Sequence, residues 1–276
     1  MSLFEGKKGL ILGVANDHSI AWAIAKEIMA GGGLCGFSHL PDRPDDERQR
    51  NRRRVALLTD AEPNAKFLLP LDVSQDEQIR AVLKHAADEF GKLDFLLHSI
   101  AYASMEDLKR DTVETSRDGF KMAMEISAYS LIAVTNAARE VLSDRASIVT
   151  MTYFGGEKAV PGYNVMGICK AALDASVRYL AYDLGPRGIR VNALSAGPVR
   201  TLAGRGAGVE DMLGFYAKMA PLGRNITHEE VGRCGSFLLS DMSDGVTGEI
   251  LHVDCGYNIM GSPGRLLDEA RQQQQP

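Results

Sequence analysis

The sequence predicts an α/β fold in which helices cover both faces of one parallel sheet. Short, continuously apolar runs alternate with helical patterns throughout the 276 residues. Strands of this kind are buried on both faces, as in parallel sheets whose connections are helices. No segment rich in proline and serine divides the chain, so we expect a single doubly wound domain.

The predicted elements follow one another in strand–helix order. Apolar runs predict strands at 8–12, 34–38, 65–69, 95–98, 147–151, 190–194 and 249–253. Periodicity and capping signals predict helices at 19–30, 45–58, 76–90, 117–142, 163–184, 209–219 and 228–239. Ser19 is the expected cap of the first helix. This order predicts a Rossmann-like domain with a seven-stranded parallel sheet over 1–262, followed by a flexible C-terminal tail at 263–276.

Composition and charge exclude several classes of protein. The 31 lysines and arginines are outnumbered by 36 acidic residues, which gives a net charge of −5, whereas a general nucleic-acid binder needs a basic surface. No apolar run approaches the roughly 18 residues of a membrane-spanning helix, and the first residues show no secretory signal. The four cysteines lack metal-ligand spacing, which predicts free thiols and no metal site. We expect a soluble cytoplasmic protein with neither membrane nor nucleic-acid partners.

The turn after the first strand is a candidate nucleotide site, because doubly wound sheets bind ligands at the carboxyl ends of their strands. Gly13 permits a tight turn, and Ser19 places a hydroxyl beside the N–H groups of a helix N-terminus, which attract a pyrophosphate. An ordinary strand–turn–helix with a serine cap explains this segment equally well. Asp72 after the third strand and the small residues after His98 favour the nucleotide interpretation, since all would line one crevice.

The residues after the second strand bear on the choice of cofactor. No acidic side chain stands directly at the strand end, where NAD-selective sites often bind the ribose 2′-hydroxyl. Basic residues that would suit a 2′-phosphate follow instead, namely Arg43, Arg48, Arg50, Arg52, Arg53 and Arg54. A solvated helix with acidic residues in its first turn is the alternative explanation.

Tyr163 and Lys170 form the candidate catalytic pair. Their spacing of seven is close to two helical turns, so both side chains project from one face of the predicted helix. There Lys170 would hold the nicotinamide ribose, and Tyr163 would donate a hydrogen bond to a carbonyl oxygen that gains charge as hydride arrives. A surface helix with a half-buried tyrosine and a lysine has the same spacing, which by itself is therefore weak evidence.

Taken together, these motifs resemble the enoyl-acyl-carrier-protein reductases of bacterial type II fatty-acid synthesis, a divergent branch of the short-chain dehydrogenases/reductases. The resemblance covers about residues 3–260. It rests on the Tyr163-x6-Lys170 pair with Met166 between them, the Gly13-x5-Ser19-Ile20-Ala21 turn, His98-Ser99-Ile100, and the segment 196–203. The commoner branch carries a Tyr-x3-Lys pair and a G-x3-G-x-G turn, and this sequence has neither.

The resemblance implies an oxidoreductase of lipid metabolism that transfers hydride from NADH to the β-carbon of a trans-2-enoyl thioester. It implies Tyr153, Tyr163 and Lys170 as catalytic residues, with substrate contacts at Ala103, Tyr153, Tyr163 and Met166. The implied cofactor contacts are Gly13, Ala15, Ser19, Ile20, Leu40, Asp72, Val73, Ser99, Ile100, Lys170, Val199, Arg200, Thr201, Leu202 and Ala203. Leu40 stands where NADH-using members often carry glutamine, so NADPH stays open as the reductant.

The resemblance also implies a lid, a carrier-protein partner and a homotetramer. A glycine-rich segment followed by an apolar helical face, at about 200–220, suits a loop that closes over an acyl chain, although the pattern alone fits a permanently packed amphipathic helix. Related lids often carry several basic residues, whereas this one has Glu210 and Asp211. The rival functions are a short-chain reductase of ketones or alcohols and a nucleotide sensor without catalysis.

Overall fold

The computed structural model describes residues 2–200 and 209–273. Its strands are β1 (Lys8–Leu12), β2 (Leu34–His39), β3 (Ala65–Pro70), β4 (Leu93–His98), β5 (Leu142–Thr152), β6 (Arg190–Ala196) and β7 (Ile250–Val253). They form one parallel sheet in the order β3-β2-β1-β4-β5-β6-β7. The predicted Rossmann-like sheet of seven parallel strands is therefore confirmed.

Helices connect the strands. They are α1 (Ile20–Ala30), α2 (Arg50–Thr59), α3 (Asp76–Phe90), α4 (Met105–Lys109), α5 (Arg117–Met124), α6 (Ser130–Ala138), α7 (Asn164–Leu184), α8 (Val209–Met219), α9 (His228–Leu239) and α10 (Arg265–Gln273). A π-helical turn spans Glu125–Tyr129, and short 3₁₀ turns lie at Thr112–Glu114, Phe154–Gly156, Gly185–Arg187, Asp241–Ser243 and Tyr257–Ile259. None of the helices within 2–200 and 209–273 combines the length and the apolar character needed to cross a bilayer.

The sheet is buried on both faces, as its apolar strands require. Within β1, Leu10 and Leu12 belong to the core beneath α3, α6 and α7, whereas Ile11 belongs to the core beneath α1 and α9. All three side chains are fully buried, and the alternation follows from the two-residue period of a strand. Each such side chain contributes about 1.5–3 kcal/mol of hydrophobic stabilisation. The two cores, one on each face, fix the sheet and with it the edge at which the carboxyl ends of the strands lie.

The helix predicted at 117–142 is wrong in its extent. It is divided into α5, the π-helical turn and α6, and Leu142 lies in β5, where it pairs with Leu93. Within the π-helical turn, the hydroxyl of Ser127 donates to the carbonyl oxygen of Tyr102 and accepts from its N–H, both at 2.9 Å. These two hydrogen bonds join the π-helical turn to the loop after β4. Because the contact is tertiary, the helical periodicity of the sequence does not reveal the break.

Two further boundaries differ from the prediction. Helix α2 begins at Arg50, not at 45, because Gln49 takes a left-handed conformation with φ of 45°. Asp42 accepts hydrogen bonds from the N–H groups of Asn51 (2.6 Å) and Arg52 (3.1 Å) and so caps this later start. The segment expected to be a flexible tail contains α10, whose Arg265 donates to backbone carbonyl oxygens beside α8. Low hydrophobicity predicted disorder there, and tertiary hydrogen bonds outweigh it.

Candidate active site

A cleft of about 1200 Å³ lies along the carboxyl ends of the strands. It crosses the gap between β1 and β4, the point at which the chain reverses its direction of travel across the sheet and where doubly wound folds bind nucleotides. Most of the predicted site residues line it, namely Gly13, Ala15, Ser19, Ile20, Leu40, Asp72, Val73, Ser99, Ile100, Ala103, Tyr153, Tyr163, Met166, Lys170 and Val199. Arg200 is exposed and does not line the cleft. Thr201, Leu202 and Ala203 lie outside the described residues.

The turn after β1 is built around Gly13 and Ser19. Gly13 has φ of 95°, and a β-carbon placed on it would lie 2.0 Å from the carbonyl oxygen of Ser99. Only glycine fits this close approach between the ends of β1 and β4. The Ser19 hydroxyl does not cap α1 as predicted; it accepts from the N–H groups of Ala15 (3.0 Å) and Asn16 (3.1 Å). The N–H groups of Trp22 and Ala23 donate to the Ser19 carbonyl oxygen, so those of Ile20 and Ala21 are the ones at the start of α1 that suit an anion.

We expect the substitution Gly13→Ala to destabilise the fold and to abolish dinucleotide binding. The new methyl group would meet the Ser99 carbonyl in a backbone conformation that alanine resists, at a cost of roughly 1–3 kcal/mol or more. Thermal melts and titration of NADH fluorescence measure the two effects. Gly91→Ala is the matched control, because Gly91 also has a positive φ of 78° but faces open space. Equal effects of the two substitutions would contradict this account of Gly13.

The end of the cleft beside β2 and β3 contains both polar and apolar side chains. Asp72 Oδ1 accepts from the N–H (2.9 Å) and the hydroxyl (2.7 Å) of Ser74, which fix the carboxylate at the cleft wall. Leu40 is exposed, and Arg54 from α2 lines the cleft near it. The nearby carboxylate of Asp42 caps α2. The structure thus brings one of the predicted arginines, Arg54, to the cleft.

His98, at the end of β4, is held by hydrogen bonds to two neighbouring elements. It is fully buried, with Nδ1 3.0 Å from Thr150 Oγ1 and Nε2 2.8 Å from Ser130 Oγ. Since the Ser130 hydroxyl donates to the Ile126 carbonyl oxygen at 2.6 Å, it accepts from His98 Nε2–H. Burial, and then the charge of Lys170, lowers the pKa of His98 to about 3. The neutral imidazole therefore joins β4, β5 and α6 behind the cleft.

Lys170 places a buried positive charge on the cleft. Its side chain is only 5% exposed, and Nζ donates to the carbonyl oxygen of Met151 at 2.8 Å. Burial lowers the pKa of Lys170 to about 8, and the carboxylate of Asp174 one turn later opposes that shift. Asp174 is itself buried, and it belongs to none of the sequence motifs. An acid four residues after a lysine on a helix was the available signal, but that spacing is common on surface helices.

Tyr163 and Tyr153 stand together beside Lys170 in the cleft wall. Their ring centroids are 4.7 Å apart at an interplanar angle of 68°, an edge-to-face contact. Burial raises the pKa of Tyr163 above its usual range and that of Tyr153 to about 12. Both phenols are therefore protonated at neutral pH and can donate hydrogen bonds. The Tyr153 hydroxyl lies 2.5 Å from the hydroxyl of Tyr216 on α8.

The wall of the cleft opposite the sheet is mainly apolar, although Asp118, Lys121 and Glu125 also line it. Of the elements that supply this wall, the sequence predicted only α8, as part of the lid, to contact the acyl chain. Ala103 and Met166, both predicted, belong to a small buried cluster beneath α4. The additional lining residues include Met105, Leu108, Met122, Ile126 and Met212. They come from α4, α5, the π-helical turn and α8. Methionines and leucines at such positions carry no motif, so only their placement identifies them.

The comparisons with known proteins agree with this geometry. The family model described as enoyl-(acyl carrier protein) reductase matches residues 13–258. The chain is 46% identical over 258 residues to an enoyl-acyl-carrier-protein reductase (NADH) of Nostoc sp., covering 93% of this chain and 98% of the relative. It is 47% identical over 264 residues to enoyl-acyl-carrier-protein reductase (NADH) 2 of Rhizobium meliloti, covering 95% of each.

Solved structures give the same result. The enoyl-acyl-carrier-protein reductase of Anaplasma phagocytophilum in complex with NAD superposes with a TM-score of 0.87 at 44% identity, covering 95% of each chain. The Bacillus cereus reductase, solved with NADP+ and indole naphthyridinone, superposes with a TM-score of 0.89 at 45% identity, covering 95% of this chain and all of that one. On the evidence of sequence and fold, this chain belongs to the enoyl-acyl-carrier-protein reductase family.

Proposed function

We propose that the protein reduces the trans-2 double bond of enoyl-acyl-carrier-protein thioesters with NADH, the reductive last step of each fatty-acid elongation cycle. The observation that carries the proposal is the placement of Tyr163, Tyr153 and Lys170 on one cleft at the switch point of the sheet. The cleft continues along an apolar wall that suits an acyl chain. Family membership and the NADH-dependent activity named for the relatives support the same conclusion.

The described residues fit a reduced dinucleotide. The turn that leads from β1 to α1 requires Gly13, since a β-carbon there would meet the carbonyl oxygen of Ser99, and the N-terminus of α1 favours the negative charge of a pyrophosphate. We propose that Asp72 and Val73 contact the adenine, that Ser99 and Ile100 flank the ribose, and that Lys170 holds the nicotinamide ribose. We propose that Val199, which lines the cleft, also contacts the cofactor near the nicotinamide.

The chain's own residues stabilise the charge that develops on the substrate. The bound cofactor supplies the hydride that the β-carbon accepts. Tyr163 donates a hydrogen bond to the thioester oxygen, which becomes an enolate oxygen, and the buried Lys170 adds positive potential. The α-carbon of the enolate then takes up a proton, which restores the thioester carbonyl and completes the reduction. Tyr153 contacts the substrate from the same wall. Met166 and Ala103 exclude water from the reacting carbons, which strengthens these interactions.

We further propose a cytoplasmic homotetramer that accepts its substrate from the acyl-carrier protein. The exposed apolar side chains Ile132, Tyr179 and Tyr182 on α6 and α7 support self-association of this face. We propose residues 1–262 as the catalytic domain, with α8 as part of the substrate lid because Met212 lines the cleft. The sequence of the lid, which has Glu210 and Asp211 where related lids often carry basic residues, favours a carrier-protein contact elsewhere on the rim.

The test is the loss of reduced-nicotinamide absorbance with a short trans-2-enoyl thioester. We expect consumption with the enoyl compound and none with acetoacetyl or hydroxyacyl thioesters. No consumption with the enoyl compound, but consumption with the acetoacetyl thioester or formation of NADH from NAD+ with the hydroxyacyl thioester, would favour a ketone reductase or alcohol dehydrogenase. Tight NADH binding without turnover of any thioester would favour a nucleotide sensor.

The position of Arg54 predicts that the protein also accepts NADPH, with a lower preference than for NADH. Arg54 lines the adenosine end of the cleft, and its guanidinium donates to Arg50 O and Asn51 Oδ1, both at 3.1 Å. We expect NADH to be the better reductant and NADPH to be accepted. Arg54→Ala should lower kcat/KM for NADPH by about 3–10-fold and that for NADH by less than about twofold, as expected for a solvent-screened charge-assisted bond. Arg53→Ala, also exposed but outside the cleft, is the control; equal losses with both cofactors would contradict the assignment.

A further inference from the structure

Tyr216 is a buried tyrosine behind the cleft that no motif assigns. It lies on α8 and is only 6% exposed. Its hydroxyl shares a hydrogen bond of 2.5 Å with the hydroxyl of Tyr153. A buried hydroxyl without a partner is costly, so each of these two groups satisfies the other. Tyr216 does not itself line the cleft.

The ring of Tyr216 is held as firmly as its hydroxyl. It stacks on Tyr257, with ring centroids 3.8 Å apart and an interplanar angle of 17°. Tyr257 in turn meets Phe154 edge-on at 5.8 Å, and Phe154 directly follows Tyr153 in sequence. Contacts therefore run from Tyr153 to Tyr216 on α8, from Tyr216 to Tyr257 after β7, and from Tyr257 to Phe154, the residue next to Tyr153.

We propose that Tyr216 is a positioning residue, which holds the hydroxyl of Tyr153 in place and registers α8 against the active site. This inference rests on the proposed function, since it assigns Tyr153 to the substrate side of the cleft. Met212, one turn before Tyr216 on α8, lines the same cleft. One hydrogen bond thereby couples the orientation of Tyr153 to the apolar wall that α8 supplies.

The kinetic test is Tyr216→Phe, which keeps the stacked ring and removes only the hydroxyl. We expect KM for a trans-2-enoyl thioester to rise about 3–10-fold, the range that one buried hydrogen bond spans. We expect kcat to change by less than about twofold, because Tyr163 carries the developing charge. The Kd for NADH should not change. Tyr129→Phe, on a side chain that is 55% exposed and outside the cleft, is the control for a generic loss of a hydroxyl.

A double-mutant cycle with Tyr153→Phe decides whether Tyr216 acts through Tyr153. We expect Tyr216→Phe to leave KM unchanged in the Tyr153→Phe background. We also expect the double variant to melt no lower than either single variant, because it leaves no orphaned hydroxyl. Should Tyr216→Phe alone not fold, the double variant provides the folded comparison.

Three results would overturn the inference. These are an unchanged KM in Tyr216→Phe, the same fold-change in both backgrounds, and additive losses in melting temperature. The melting cycle needs no turnover, so it tests the coupling even if the wild-type protein fails to reduce enoyl thioesters. Failure of the wild-type assay would overturn the proposed function, whereas failure of the cycle would overturn only the role of Tyr216.

Discussion

Replacing Tyr163 with phenylalanine is expected to lower kcat for the enoyl thioester by about 10²–10³-fold, the range seen when one donor to a developing oxyanion is removed. Burial keeps the Tyr163 phenol protonated, so the wild-type residue can donate its hydrogen bond throughout the neutral pH range. The variant retains the ring and therefore its edge-to-face contact with Tyr153. The Kd for NADH should change by less than about twofold.

Steady-state kinetics with saturating NADH, together with fluorescence titration of NADH, measure these two quantities separately. Tyr129→Phe is the control, because the side chain of Tyr129 is 55% exposed and does not line the cleft. We expect the control to match the wild type in both measurements. An unchanged kcat for Tyr163→Phe would remove Tyr163 from the proposed catalytic role. A loss confined to NADH affinity would assign it to the cofactor instead.

Substituting Lys170 with glutamine is expected to weaken NADH binding by about 10–100-fold, since hydrogen bonds to charged groups contribute about 1.5–3 kcal/mol. The ammonium group is buried, and its one described hydrogen bond to protein, to the Met151 carbonyl, leaves donors for the ribose hydroxyls. Turnover should fall as well, because the positive potential near Tyr163 is lost. Titration calorimetry and single-turnover kinetics at saturating NADH distinguish the two losses.

The pH dependence of Lys170 gives an independent check. Burial lowers its pKa from 10.5 to about 8, so the affinity for NADH should fall as pH rises through about 8. Stability should move in the opposite direction. Between pH 8 and 10.5 the unfolded chain binds the proton that the folded chain has released, so this residue stabilises the fold increasingly as pH rises. Both trends should be absent in Lys170→Gln; NADH affinity independent of pH across this range in the wild type would contradict the assignment.

Local sequence patterns predicted most of the architecture because the relevant forces act locally. The seven strands are continuous apolar runs, and burial on both faces leaves a parallel sheet as the arrangement that satisfies them. Helix α7 begins within one residue of its predicted start, and the Tyr163–Lys170 spacing places both side chains on the cleft. In both the strands and α7, the conformation depends mainly on residues that are close together in the sequence.

The predictions that were wrong concern side chains whose partners lie outside their own helix. The π-helical turn is held by Ser127 against Tyr102, and α2 starts late because Asp42, several residues earlier, caps it. Ser19 has the sequence signature of a helix cap, yet its hydroxyl turns back to the preceding loop. Each of these side chains bonds to backbone groups that helical periodicity does not specify.

By itself, the sequence determined the doubly wound sheet and the shared helical face of Tyr163 and Lys170, because strand burial and helical periodicity are properties of contiguous residues. Only the tertiary structure decided that Gly13 meets Ser99, that Asp174 lies beside Lys170 in the interior, that α4 lines the cleft, and that Tyr216 binds Tyr153. Most of these contacts join residues that are far apart in the chain. The exception is Lys170 and Asp174, whose four-residue spacing is common on helices and whose burial is what distinguishes them. Their energies depend on desolvation and geometry, which no local pattern encodes.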